Sequence, residues 1–176
     1  LGRIGTLAID LGNSTTVVAF QGENDKSPEL LELPPISRFN GEVPSLIYSS
    51  PQSNTLIVGQ AVIEKGLAGV NSQNLVKNFK RQIGAKESSD KNQQFPELSP
   101  EKAGELLLEE IWRRIPETLK IRRLVLTAPI DTYIAYKEWL LKVCRTFKVK
   151  EIALVDEPTA AAMGAGLDPG AKLLVL

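Results

Sequence analysis

Apolar and polar positions alternate from Thr6 to Phe20 (TLAIDLGNSTTVVAF), and a period near two predicts a pair of β-strands. The first strand ends at Asp10. Gly12, Asn13, Ser14 and Thr15 form the turn, and a second β-prone run resumes at Thr16. Gly12 supplies the backbone freedom that a tight turn needs. Leu30 to Leu33 reads as a third short strand that Pro34 and Pro35 stop, so a three-stranded meander opens the chain. From Phe39 to Thr118 the pattern loosens. Short strands are predicted at Ser45 to Tyr48 and Leu56 to Val58, and short helices at Gln60 to Gly66 and at Asn74 to Ile83, the second closed by Gly84. Lys86 to Gln94 contains no apolar residue and reads as an exposed loop.

A period near 3.6 begins at Ser99, a helix N-cap followed by Pro100 and Glu101. Ala103, Leu107, Glu110 and Arg114 share one stripe, with Leu106, Ile111 and Ile115 beside it, and the helix should finish before Pro116. Trp112 is read as a packing residue. Leu124 to Thr127 is then a strand. Asp131 and Thr132 offer caps for a helix through Tyr133, Tyr136 or Lys137, Leu140, Cys144 and Phe147. Ile152 to Val155 is the next strand, followed by the small-residue helix TAAAMGAG. Strand, helix, strand, helix implies a parallel right-handed crossover joined to the meander, with the polar middle as an insertion. In such a sheet Asp10, Pro129 and Glu157 fall at strand ends and converge on one crevice.

Composition narrows the chemistry. Of 176 residues, 21 are basic and 21 acidic, so bulk charge points to neither nucleic acid nor an anionic membrane. No apolar run approaches the ~20 residues of a membrane span, and the opening residues lack a secretory pattern, so the expectation is a soluble, cytoplasmic protein. There is no His, which removes His-based catalysis and disfavours a transition-metal site. Cys144, the lone cysteine, fits a core position. Gly164, Gly166 and Gly170 follow a helix instead of opening one, so they read as helix termination, and no P-loop occurs. A start at Leu1 and an apolar finish at KLLVL suggest part of a longer protein. The hairpin tip offers Asp10, backbone amides and the hydroxyls of Ser14, Thr15 and Thr16, a set suited to a metal-bound phosphate. A ligand-free polar turn fits the same residues. Equally, Lys80 and Arg81 fit a solvated pair, and Glu157 before Pro158 fits a helix N-terminus.

Four segments in order resemble the ATPase domain of the 70-kDa heat-shock, DnaK-like chaperone family: IDLGNSTT (Ile9 to Thr16), FKRQIG (Phe79 to Gly84), LTAPIDTY (Leu126 to Tyr133) and VDEPTAAAMGAGLD (Val155 to Asp168). VPSLI (Val43 to Ile47) and VGQAV (Val58 to Val62) add to the likeness. The resemblance implies an α/β, ribonuclease H-like (actin-type ATPase) fold with a mixed five-stranded sheet and an inserted α+β subdomain. Residues 1–38 and 118–176 would form one discontinuous subdomain and 39–117 the insertion. The second ATPase lobe and the substrate-binding domain would lie outside this stretch, leaving it inactive alone.

By the same resemblance Asp10 serves Mg through water, while Gly12, Asn13, Ser14 and Thr15 hold the β- and γ-phosphates of ATP or ADP. Lys80 and Glu157 would be catalytic, with Pro129 and Lys137 coupling nucleotide state to the interdomain surface. Asn13 stands where the family usually has Thr, and Lys137 where bacterial relatives usually have Arg. The parent would hydrolyse Mg-ATP to control client polypeptides, with a J-domain cochaperone and an exchange factor as partners and neither nucleic acid nor membrane. A sugar or metabolite kinase on the same fold, or a non-catalytic filament or interaction protein, are the alternatives.

Overall fold

The computed structural model describes residues 2–50, 54–69, 74–85, 98–130 and 133–166. The loop at 86–94, the caps Asp131 and Thr132, Gly170 and the final apolar run lie outside them. Strands β1 (Arg3–Asp10) and β2 (Thr15–Gly22) form the predicted hairpin, with Gly5 opposite Gly22 and Asp10 opposite Val17. The third strand, β3 (Glu29–Leu30), is shorter than Leu30 to Leu33. The Leu33 amide donates to Ser37 Oγ at 2.6 Å and its carbonyl accepts from Ile36, so Leu33 belongs to a turn. Because β3 covers only Ala19 and Phe20, the edge from Thr15 to Val17 remains open, and β4 (Glu42–Pro44) pairs there. Among the described residues the main sheet therefore has six strands instead of five.

The crossover follows the sequence pattern. β8 (Leu119–Ala128) runs parallel to β1, and β9 (Glu151–Asp156) runs parallel to β8, giving the order β3-β2-β1-β8-β9. Helix α3 (Tyr133–Arg145) connects β8 to β9, α2 (Pro100–Arg114) precedes β8, and α4 (Glu157–Gly164) follows β9. Ser99 caps α2 as predicted, its hydroxyl accepting from the Lys102 amide at 3.1 Å. Gly166, at φ 73°, ends the turn after α4.

A second sheet places β5 (Ile47–Ser50) between β6 (Thr55–Val58) and β7 (Leu75–Val76). Helix α1 (Gln60–Glu64) follows β6. Two expectations fail in this region. The strand predicted at Ser45 to Tyr48 begins two residues later, because Ser45 is engaged with the hairpin tip. No helix spans Asn74 to Ile83: Leu75 and Val76 pair with β5, Asn78 turns the backbone to φ 58°, and only Lys80–Gln82 forms a single 3-10 turn. A left-handed residue cannot continue a right-handed helix.

One face of the main sheet supplies Leu7, Ile9, Val18, Phe20, Leu124 and Leu126 to a buried cluster, shared with Ala103, Leu107 and Ile111 of α2 and with Tyr136, Leu140 and Cys144 of α3. Ile47, Val58 and Val76 carry the same cluster into the small sheet. The two helices approach closely at Gly104, where a Cβ would lie 2.6 Å from the Trp139 ring. Cys144 is the expected core residue, its thiol pushed up to about 12 by burial. Trp112 packs flat on Phe147, centroids 4.7 Å apart and planes at 9°, and Phe147 lies just past the end of α3.

Candidate functional site

The hairpin tip is built by close approach. A Cβ on Gly12 would sit 1.9 Å from the Thr15 carbonyl oxygen, so only glycine allows this turn. Ser45 locks it from the side: its hydroxyl donates to the Gly12 carbonyl at 2.8 Å and lies 3.0 Å from Thr16 Oγ1, while its amide donates to the Ser14 carbonyl at 2.9 Å. The carbonyls of Gly12 and Ser14 are thus consumed. The amides of Gly12, Asn13 and Ser14 have no main-chain acceptor among the described residues. The Thr16 hydroxyl is buried against Ser45, which corrects the expectation that it faces a ligand. Ser14 is exposed, and Thr15 is half-buried opposite Pro44.

Asp10 ends β1 beside Thr127, because the parallel register sets Ile9 next to Leu126. Thr127 Oγ1 donates to Asp10 Oδ1 at 2.6 Å. Asn13 reaches across 65 residues: its Nδ2 donates to Asn78 Oδ1 at 3.2 Å, and its own Oδ1 is buried with no partner among the described residues. Two positions after Asn78 comes Lys80. Phe79 and Ile83, both fully buried, pin its turn, and the Gly84 amide donates to Glu101 Oε1 of α2 at 3.1 Å. Lys80 forms an ion pair with Glu157, its side chain 11% exposed against 40% for the carboxylate. Glu157 begins α4, where unpaired helix amides favour a negative charge. Asp156 caps that helix through the Thr159 hydroxyl and amide, and those bonds hold its carboxyl below the usual carboxylate range.

Of the sequence-predicted residues, the fold joins Lys80 to Glu157 directly and places Asp10 and the Gly12–Ser14 turn at the end of β1. Pro129 follows the last residue of β8, half-buried, and Lys137 lies half-buried on α3. Sequence reasoning missed Thr127, Ser45 and Asn78 as supports. The β1–β8 register would have found Thr127. Nothing local marks Asn78, whose role depends on a partner 65 residues away.

The donor set suits a hydrated Mg-phosphate group. Mg retains several waters and takes one or two carboxylates together with substrate phosphates. Here the exposed carboxylate of Asp10 ends the strand that leads into amides with no main-chain acceptor among the described residues, where also no group of three acidic or Cys side chains gathers to cage a bare ion. A mixed α/β architecture with these groups at its strand ends is consistent with an actin-like ATPase lobe. The chain is 29% identical over 164 residues to the chaperone protein DnaK of Mycoplasma mobile, covering 92% of this chain and 25% of that protein. DnaK of Thermosipho melanesiensis is 27% identical over 171 residues, covering 94% and 27%. An uncharacterized protein of Bacillus subtilis, YabS, is 30% identical over 131 residues, covering 73% and 47%. The chain spans about a quarter of the length of the DnaK proteins it matches. No family model matches the chain.

Proposed function

We propose that this chain is the first lobe of the ATPase domain of a DnaK-like chaperone that hydrolyses Mg-ATP to control polypeptide binding. The observation that carries the reading is the Lys80–Glu157 ion pair, which joins two of the four family-like segments across 77 residues of sequence. Similarity to DnaK along nearly the whole chain supports it. Residues 1–38 and 118–176 then form one subdomain and 39–117 the insertion, on a ribonuclease H-like plan.

Bound Mg would supply positive charge at the transferred phosphoryl group. Asp10, steadied by Thr127, would orient water in the metal's shell. The amides of Gly12, Asn13 and Ser14 would hold phosphate oxygens, as backbone nests do. Lys80 would leave Glu157 to offset charge at the γ-phosphate, and Glu157 would then orient the attacking water. Pro129 and Lys137 would pass nucleotide state to a client-binding region, where a J-domain cochaperone and an exchange factor act.

The test is Mg-dependent ATP hydrolysis by the full-length natural protein. Lys80→Ala and Glu157→Gln are each expected to lower kcat on the order of a hundredfold or more. Wild-type rates in both variants reject these roles. Phosphoryl transfer to a small hydroxylated acceptor in place of water would make the protein a metabolite kinase.

A further inference from the structure

Lys80 rides on a single 3-10 turn, Lys80–Gln82, which is too short to fix its own direction, so the contacts at its two ends decide where the ammonium stands. The far end is tied down twice. The Gly84 amide donates to Glu101 Oε1 of α2 at 3.1 Å, and a Cβ on Gly84 would lie 2.8 Å from the Ala135 Cβ and 3.0 Å from the Tyr136 amide nitrogen of α3. The near end is Asn78. Pairing of β7 with β5 stops at Val76, and Asn78, at φ 58°, turns the chain from that strand into the Lys80 turn. Asparagine is one of the few residues that adopt this conformation readily. Its side chain, exposed on the surface, accepts from Asn13 Nδ2 of the hairpin tip at 3.2 Å.

The Asn13 side chain is poorly suited to holding phosphate itself. Its Nδ2 faces Asn78, and its Oδ1 is a buried acceptor that an ionised phosphate oxygen would repel. The side chain therefore has a different task from the main-chain amides of the same turn. Lys80 is only 11% exposed, so its stem is packed and its ammonium follows the turn beneath it. We propose that the Asn13–Asn78 bridge docks the Lys80 turn on the hairpin tip and so sets where the Lys80 ammonium stands relative to the amides of that tip. Asn13, through its side chain, and Asn78 are thus positioning residues for Lys80. The effect on phosphoryl transfer rests on the nucleotide reading above, whereas the docking does not.

Hydrogen exchange read by mass spectrometry, on the full-length natural protein without nucleotide, tests the docking. Asn78→Gly removes the side chain and keeps the left-handed backbone, while Asn13→Ala removes the donor from a position 65 residues away. The Gln82 and Ile83 amides close the turn onto the Phe79 and Lys80 carbonyls. Each variant is expected to speed exchange in the peptide that holds them about fivefold, the worth of one neutral hydrogen bond. The double variant should exchange no faster than the faster single one. Wild-type exchange in Asn13→Ala, or multiplied effects in the double variant, overturns the docking. Hydrolysis reads the consequence: Asn78→Gly should lower kcat for Mg-ATP about tenfold with KM unchanged, and should cost nothing further in a Lys80→Ala background. An unchanged kcat, or an equal loss in both backgrounds, overturns the positioning role. If the exchange results hold while the wild-type protein hydrolyses no ATP, the nucleotide reading falls and the docking stands.

Discussion

Ser45 carries more of the site than its place in a loop suggests. One hydroxyl meets both the Gly12 carbonyl and Thr16 Oγ1, and both Ser45 and Thr16 are essentially excluded from solvent. Ser45→Ala removes the donor to Gly12 and leaves the Thr16 hydroxyl buried without its partner. Leaving a buried polar group unsatisfied costs roughly 1–3 kcal/mol. Urea denaturation of the variant should show a loss in that range, and a loss below about 0.5 kcal/mol would mean that the tip holds its shape without this clamp. Lys80 and Glu157 belong to the same scale. The hydrolysis test reads their chemistry.

At the scale of elements, α4 is held at its start by Asp156. Its carboxylate accepts from the Thr159 hydroxyl and amide, both at 2.8 Å, and the hydroxyl bond is the larger cause of its lowered pKa. A carboxyl depressed in the folded state stabilises the fold above its ordinary value of about 4. That contribution is lost as pH falls through the lower, folded value. An NMR titration of the Thr159 amide should therefore show a midpoint below about 4, and a midpoint at the ordinary value would remove the cap from this account. Because Glu157 is the next residue, the cap also sets where that carboxylate enters the site.

At the scale of the whole molecule, the buried cluster runs without a break from α2 and α3, through one face of the main sheet, into Ile47, Val58 and Val76 of the small sheet. A shared core couples the two sheets energetically, so the protein should unfold in one transition. Fluorescence from Trp112 and Trp139, the two tryptophans, reports the helical side of that core. Far-UV circular dichroism reports both sheets. Coincident urea curves from the two probes are expected, and a fluorescence midpoint clearly separated from the other would divide the molecule into independent units.

Much of this fold was legible in local pattern. Alternation located the β1–β2 hairpin, Ser99 and Pro100 located the start of α2, and strand–helix–strand order gave the parallel crossover, since each depends on neighbours in sequence. Asp10 was identifiable at the hairpin tip, and Lys80 and Glu157 only through the family resemblance. Their arrangement was not. The segment before Lys80 looked helical because its apolar spacing allowed it, yet pairing with β5 and the left-handed Asn78 decided otherwise. Tyr136 fitted the apolar stripe of α3, and only its full burial revealed a hydroxyl with no partner among the described residues. The sequence by itself determined the β1–β2 hairpin, the start of α2, the strand–helix–strand order of the crossover, the turn at Gly12 and the chemical groups available. The tertiary structure alone decided that Lys80 meets Glu157, that Thr127 meets Asp10 and that Ser45 closes the hairpin. Such contacts join residues from 33 to 117 positions apart, and local propensity carries no information about pairings made through a common core.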